Sequence, residues 1–282
     1  MAGYADVLFE KAREAGAESL TLFDPAVADL LDAQDPLAEF RAEYLFPKGK
    51  DGKDAIYLCG NSLGLQPRDM KRQVVAQLDK WGAEGVEGHF AGQTPWLDID
   101  DIVVPSMARL VGAEVSEVVV MNSLTCNLHL MMAAFYQPSA TRFKIVIERK
   151  AFPSDYHAVV SQIQLAGYDP DLALVEIAPR EGETSLREED IEITLEQHCA
   201  ALVLFSGVQY YTGQLFDMQR ITKAAHAQGA MVGFDLAHAV GNVPLSLHEW
   251  GPDFACWCTY KYMNCGPGSL GGCFVHARHG GG

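Results

Sequence analysis

FACWCTYKY, residues 254–262, is the stretch on which the fold turns. Its first five residues are apolar without a break, and they give way to Thr259, Tyr260 and Lys261. An uninterrupted apolar run of this length is the pattern of a strand covered on both faces. Six more runs share it: EVVVM (117–121), KIVIE (144–148), ALVEI (173–177), AALVLF (200–205), MVGFD (231–235) and GCFVH (272–276). Helical or polar segments separate most of them, which predicts an α/β fold with a mostly parallel sheet of about seven strands flanked by helices. The last gap holds Gly266, Pro267 and Gly268 without a helical pattern, so the final strand is expected to be antiparallel.

Upstream of residue 115 the pattern is helical. Residues 1 to about 45 read as helices; Asp35-Pro36 offers an N-cap with Pro at the first helical position, and Leu37, Phe40 and Leu45 form an apolar stripe. KGKDGK (48–53) is a polar turn. A second helix starts near Pro67 and carries Val74, Val75, Leu78 and Trp81 on one face. This divides the chain into an N-terminal helical segment, 1–65, and a large α/β domain, 66–282.

Composition narrows the function classes. The 282 residues carry 37 acidic against 21 basic side chains, a formal net charge of −16. Nucleic acid and anionic membranes need clustered Lys and Arg, so neither is expected as a partner. The acidic run from Arg187 through Asp190 reads as a solvated connection. Seven cysteines without a C-x-x-C pair fit buried free thiols in a reducing compartment. The N-terminus has no apolar signal core and no stretch is long enough to span a membrane, which makes the cytoplasm the expected location. Nine scattered histidines give no His/Cys group at ligand spacing, so no metal site is expected.

Three constellations could carry chemistry, all at the carboxyl ends of predicted strands, where open parallel sheets bind ligands. Asn122-Ser123-Leu124-Thr125-Cys126 forms a strand–turn–helix with hydroxyls at the helix start, a cradle for an anion, although an ordinary N-cap looks the same. Asp235 ends the 231–235 run and is followed by His238; a carboxylate buried there needs a cationic partner, or else caps the next helix. Lys261 ends the 254–258 run between two tyrosines, where desolvation favours the neutral, nucleophilic amine; the alternative is a lysine reaching out past the sheet edge. Gly266-x-Gly268-x-x-Gly271 imitates a dinucleotide fingerprint, but a strand comes after it, so it reads as a loop.

With these residues in place, the chain resembles the kynureninase family of fold-type I pyridoxal-phosphate enzymes. The matching stretches are YLCGNSLGLQP (57–67), MNSLT (121–125), NLHL (127–130), KAFPSD (150–155), FSGVQYYTGQ (205–214), DLAHAVG (235–241) and YKYMN (260–264). The resemblance implies that Lys261 carries pyridoxal 5'-phosphate as a Schiff base and moves protons. It implies that Asp235 faces the pyridinium nitrogen with His238 beside it, and that Leu124, Thr125 and Tyr260 hold the phosphate. Phe152 would stack on the ring within the cofactor-binding run Phe152-Pro153-Ser154-Asp155, Ser206 would be a further cofactor contact, and Tyr260 would act as an acid. Ser62 and His89 would lie on the substrate side.

The family activity is hydrolysis of L-kynurenine, or its 3-hydroxy form, to anthranilate or 3-hydroxyanthranilate and L-alanine, in tryptophan catabolism and NAD biosynthesis. The family acts as a homodimer, so the expected partners are a small-molecule substrate and a second copy. Family chains are longer, so the resemblance also implies a missing C-terminal small domain, and with it the Arg that pairs with the substrate carboxylate and a Trp and an Asn near the phosphate. A planar Arg clamp is not readily replaced, and Arg142, Arg149, Arg180 and Arg220 read as surface residues. The alternative to an active hydrolase is therefore a truncated, non-catalytic form that binds the cofactor or full-length partners. Another superfamily member, an aminotransferase or a cysteine desulfurase, is a weaker alternative.

Overall fold

A computed structural model describes residues 10, 11, 13, 14 and 24–280. Most of the helical expectation before residue 24, and Gly281 and Gly282, fall outside the described residues. Contacts divide the chain into two units, residues 1–55 with 66–75, and residues 56–65 with 76–282.

In the smaller unit, α1 (Pro25–Ala33) starts as its sequence dictates: Asp24 accepts from the Ala26 N–H and Pro25 takes the first position. The expected helix does not continue beyond it. Asp35 does cap, accepting from the Leu37 N–H, but residues Ala38–Glu43 wind as a 3-10 helix. Tyr44–Leu45 (β1) then pairs antiparallel with Gln66–Pro67 (β2). Leu37, Phe40 and Leu45 remain exposed, and an apolar stripe that buries nothing gives a short α-helix little to stabilise it. Because Pro67 belongs to β2, the next helix, α2 (Met70–Glu84), begins three residues later than expected. Its Val74, Val75, Leu78 and Trp81 are all exposed.

The larger unit holds the seven-stranded sheet. Its strands are β3 (Val118–Met121), β4 (Lys144–Glu148), β5 (Leu174–Ile177), β6 (Ala200–Ser206), β7 (Met231–Asp235), β8 (Phe254–Cys258) and β9 (Gly271–Val275). The spatial order is β3-β9-β8-β7-β6-β4-β5. Strands β5, β4, β6, β7 and β8 run parallel, and β9 is antiparallel to both of its neighbours. Every strand falls within a residue or so of an expected apolar run.

The runs are apolar throughout because both faces are covered. On β6, Leu202 and Leu204 join one cluster while Val203 and Phe205 join the other. The first face packs against α4 (Leu124–Phe135) and α5 (Pro153–Leu165) through Leu128, Met132, Val159 and Ile163. The second packs against α3 (Ile99–Val111), α6 (Glu188–Gln197) and α7 (Met218–Ala227) through Val111, Ile191, Leu195 and Ile221. Each such fully buried side chain contributes about 1.5–3 kcal/mol. At the seam of β7 and β8, a Cβ on Gly233 would run into the Phe254 ring, so only glycine fits there.

Two local expectations need correction. The acidic run is no open connection: Glu188, Glu189 and Asp190 form the first turn of α6, where the helix dipole favours them. All seven cysteines are free, but only Cys256, Cys258 and Cys273 are buried; Cys59, Cys126, Cys199 and Cys265 are exposed. The fold also brings Glu117, His248 and His276 close enough to hold a metal, although they are remote in sequence. The Glu117 carboxylate already accepts from the Ala277 and Glu114 N–H groups and bonds His248. Among the described residues no helix is long and apolar enough to cross a membrane.

Candidate active site

At the carboxyl ends of β6, β7 and β8, beside the start of α4, lies a cleft of about 200 Å³. Leu124, Thr125, Phe152, Ser154, Ser206, Asp235, His238, Tyr260 and Lys261 line it together with Ser123, Val208, Tyr210 and Ala237. Nine of the expected site residues therefore converge on one cavity. A larger hollow of about 390 Å³ lies over Arg149, Lys150, Thr184 and Gln214. Its only buried titratable group is Glu148, so size alone does not make it the reactive site.

Lys261 extends into the cleft from the loop that follows β8 and is only 8% exposed. Its Nζ lies 2.9 Å from His238 Nε2 and over the Phe152 ring, 5.7 Å from the centroid. Burial, with Lys261 nearby, pushes the His238 imidazole below its usual range against the opposing pull of Asp235. A neutral imidazole can then accept a proton from the amine or return it. Phe152 meets Tyr210 edge to face at 5.1 Å.

Asp235 ends β7, pairs in register with Ser206 of β6, and is 5% exposed. One of its oxygens accepts from the Ala237 N–H at 2.8 Å, which fixes the carboxylate as the chain turns. Behind it lies Asp155, in the first turn of α5 and also buried; burial and the neighbouring Asp235 both push the Asp155 carboxyl up. At the far end, Asn122 takes a left-handed conformation with φ of 52° and turns the chain into α4. Ser123 then caps the helix, accepting from the Cys126 N–H, and leaves the helix start with Leu124 and Thr125 on the cleft. Tyr260, whose phenol burial pushes up to about 12, stays protonated at neutral pH.

The expected residues outside the lining have definite places. Pro153 is the first residue of α5, and Asp155 stands behind the cleft wall. Ser62 is exposed in segment 56–65. That segment docks on the Lys261 loop where Gly64 N–H donates to Tyr260 O and Leu65 N–H to Asn264 Oδ1; a Cβ on Gly64 would collide with Asn264 and the Lys261 carbonyl. His89 is exposed and packs edge to face on Trp96. Arg180 and Arg220 pair with Asp190 and Glu192, and Arg142 donates to the Ala200 carbonyl. Residue-by-residue reasoning on the sequence misses Tyr210 and Val208, although they sit inside the FSGVQYYTGQ stretch (205–214).

Chemically, the cleft offers a desolvated primary amine, a buried carboxylate, an aromatic face and a helix start with a free hydroxyl. That donor set fits a planar, cationic heteroaromatic ring with a carbonyl at one side and an anionic tail. Comparisons with known proteins agree with the geometry. The class-V aminotransferase family model matches residues 103–278. A kynureninase of Nematostella vectensis is 53% identical over 274 residues, covering 93% of this chain and 59% of its own. One of Myxococcus xanthus is 57% identical over 251 residues (88% and 59%), and one of Monosiga brevicollis is 50% identical over 294 residues (95% and 63%). The chain thus spans about three fifths of the length of these relatives. Among solved structures, the apo cysteine desulfurase of Thermococcus onnurineus has a TM-score of 0.62 at 18% identity, covering 79% of this chain and 54% of its own. A C-DES K223A mutant with glycine linked to its PLP cofactor scores 0.64 at 14% identity, covering 79% and 57%. At these identities the two structures speak for the fold alone.

Proposed function

The chain belongs to the class-V aminotransferase family, and from that premise we propose that it binds pyridoxal 5'-phosphate on Lys261 and serves the hydrolysis of L-kynurenine to anthranilate and L-alanine. The observation that carries the cofactor half is the convergence of Lys261, Asp235 and the α4 start on one cleft. Identities of 50–57% to proteins named kynureninase support the reaction half.

The work is divided among the residues of the cleft. Lys261 is the covalent anchor, and its 2.9 Å contact with neutral His238 gives the amine a proton partner. Asp235 would face the ring nitrogen and favour its protonated form. Leu124 N–H, the Thr125 hydroxyl and Tyr260 receive the phosphate at the helix start. Phe152 covers one ring face within the Phe152-Pro153-Ser154-Asp155 turn, and Ser206 lies beside Asp235. When bound, the cofactor supplies an electron sink for charge developing at the substrate Cα. Lys261 would relay protons, and water would add to the side-chain ketone. The Cβ–Cγ bond would break so that the acyl carbon leaves as the carboxyl of anthranilate and Cβ takes a proton to complete L-alanine. Tyr260 is the acid at hand, and Ser62 and His89 are assigned to the substrate side. The 3-hydroxy substrate is handled by the same groups.

The test is direct. Purified protein with pyridoxal phosphate and L-kynurenine is expected to release anthranilate, monitored by its fluorescence, and Lys261→Ala is expected to lose both product and the absorbance of bound cofactor. Cofactor absorbance without anthranilate would sink the reaction half, and wild-type absorbance in Lys261→Ala would sink the anchor. A homodimer in the cytoplasm belongs to the same reading. It is supported by the free thiols and by the exposed Val74, Val75, Leu78 and Trp81 on α2. Light scattering is expected to give twice the 30.8 kDa chain mass; a monomer at micromolar concentration would remove the dimer.

A further inference from the structure

Glu148 ends β4, next to β6 in the sheet, and only 2% of it is exposed. Its partners are both on Ser206: the hydroxyl donates to one carboxyl oxygen at 2.6 Å, and the backbone N–H lies 3.3 Å from each oxygen. Ser206 in turn is the register partner of Asp235 on β7. Glu148, Asp155, Ser206 and Asp235 all line one small void of about 10 Å³.

Three carboxyls thus share one buried pocket, and among the described residues no Lys, Arg or His forms an ion pair with Glu148. An acid at an exposed strand end needs no explanation. An acid as buried as this one, facing two like groups and bonded only to a neutral serine, holds its proton to a higher pH than an exposed one. Burial, against the opposing pull of the Ser206 hydrogen bonds and with a smaller push from Asp235, raises Glu148 to about 7, so that it keeps its proton below neutral pH. The kynurenine reaction does not call on Glu148, and none of the sequence signals singled it out.

We propose that Glu148 is a positioning residue of the cofactor site: as a neutral acid braced on Ser206, it leaves Asp235 to carry the negative charge offered to the cofactor's ring nitrogen. The proposal rests on the pyridoxal-phosphate reading above. A second ionised carboxylate beside Asp235 would favour protonating Asp235 itself and weaken its hold on the ring. A cavity in place of Glu148 would release Ser206 and the strand end that orients Asp235. A glutamine keeps shape and neutrality, and should therefore stand in.

Two measurements test this, one of them without cofactor. In the cofactor-free protein, the infrared carbonyl band of a neutral carboxyl is expected to fade as pH rises through about 7, and Glu148→Gln is expected to abolish that fading component. In absorbance titrations with pyridoxal phosphate below pH 7, where Glu148 is mostly protonated, Glu148→Ala is expected to weaken binding about tenfold and Glu148→Gln to stay within about threefold of wild type. Bound cofactor in Glu148→Gln is also expected to lose any spectral titration near neutrality. A Gln variant as damaged as the Ala variant, or an infrared band indifferent to Glu148→Gln, overturns the proposal. A wild-type chain that binds no pyridoxal phosphate overturns the functional reading instead, while the infrared band still reports whether Glu148 holds a proton.

Discussion

At the scale of single residues, burial sets the protonation of two groups that line the cleft, His238 and Tyr260. His238 is held neutral, chiefly by desolvation, and stands 2.9 Å from the Lys261 amine. Tyr260 is held protonated up to about 12, again chiefly by desolvation. A phenol that keeps its proton across the working range can donate to a phosphate oxygen, and a hydrogen bond to a charged group is worth about 1.5–3 kcal/mol. Tyr260→Phe is therefore expected to weaken pyridoxal phosphate binding about tenfold or more. The Lys261-linked absorbance should still appear at saturating cofactor. Unchanged affinity in an absorbance titration would mean that Tyr260 does not touch the phosphate.

Elements were legible in the sequence where burial on two faces leaves a mark. KIVIE, AALVLF, MVGFD and FACWC carry apolar side chains to both helical layers, and so each reads as a strand without any partner in view. The antiparallel β9 was legible because Gly266-Pro267-Gly268 leaves no room for a crossover helix. Strand ends then pointed to Asp235 and Lys261. Elements that depend on distant pairing left no such mark. The β1–β2 pair is two residues long on each side, and the Leu37–Phe40 spacing imitates a helix face that the fold leaves exposed. Val208 and Tyr210 reach the cleft on a loop whose path is set by the Val208–Leu215 bridge and by Gln209, which donates to the Lys150 carbonyl. Glu148 was hidden for a different reason: one acid at a strand end looks solvated until the neighbouring strands show what lies over it. The same holds for Glu117, His248 and His276, which only the folded sheet brings together.

At the scale of the larger unit, the sheet is tied down at the end remote from the cleft by a further buried carboxylate, with electrostatics opposite to those of Glu148. Asp253 accepts from the Val232 N–H at 2.6 Å, contacts His226 at 2.9 Å and His279 at 2.8 Å, and takes an Arg278 bond at 2.7 Å. It thereby joins the start of β7, the end of α7 and the turn after β9. Burial alone would push this carboxyl up, but His226, Arg278, the Val232 N–H and His279 together hold it well below the ordinary range. A carboxyl depressed by folding contributes stability above its unfolded value, 3.8, and loses it as pH falls through the folded value. Asp253→Asn removes that charge while keeping the shape. The variant is expected to be about 2 kcal/mol less stable than wild type at neutral pH, since the buried side chain exchanges charge-assisted hydrogen bonds to Arg278 and the Val232 N–H for neutral ones. As pH drops below 3.8 the unfolded chain takes up a proton that the folded Asp253 still refuses, so the wild-type advantage shrinks. Once the folded carboxyl is protonated too, the two proteins converge, a trend read from urea midpoints at a series of pH values. A gap that stays constant from neutral pH into acid would show that Asp253 acts through shape and hydrogen bonding, and that its charge does not hold β7, α7 and the final turn together.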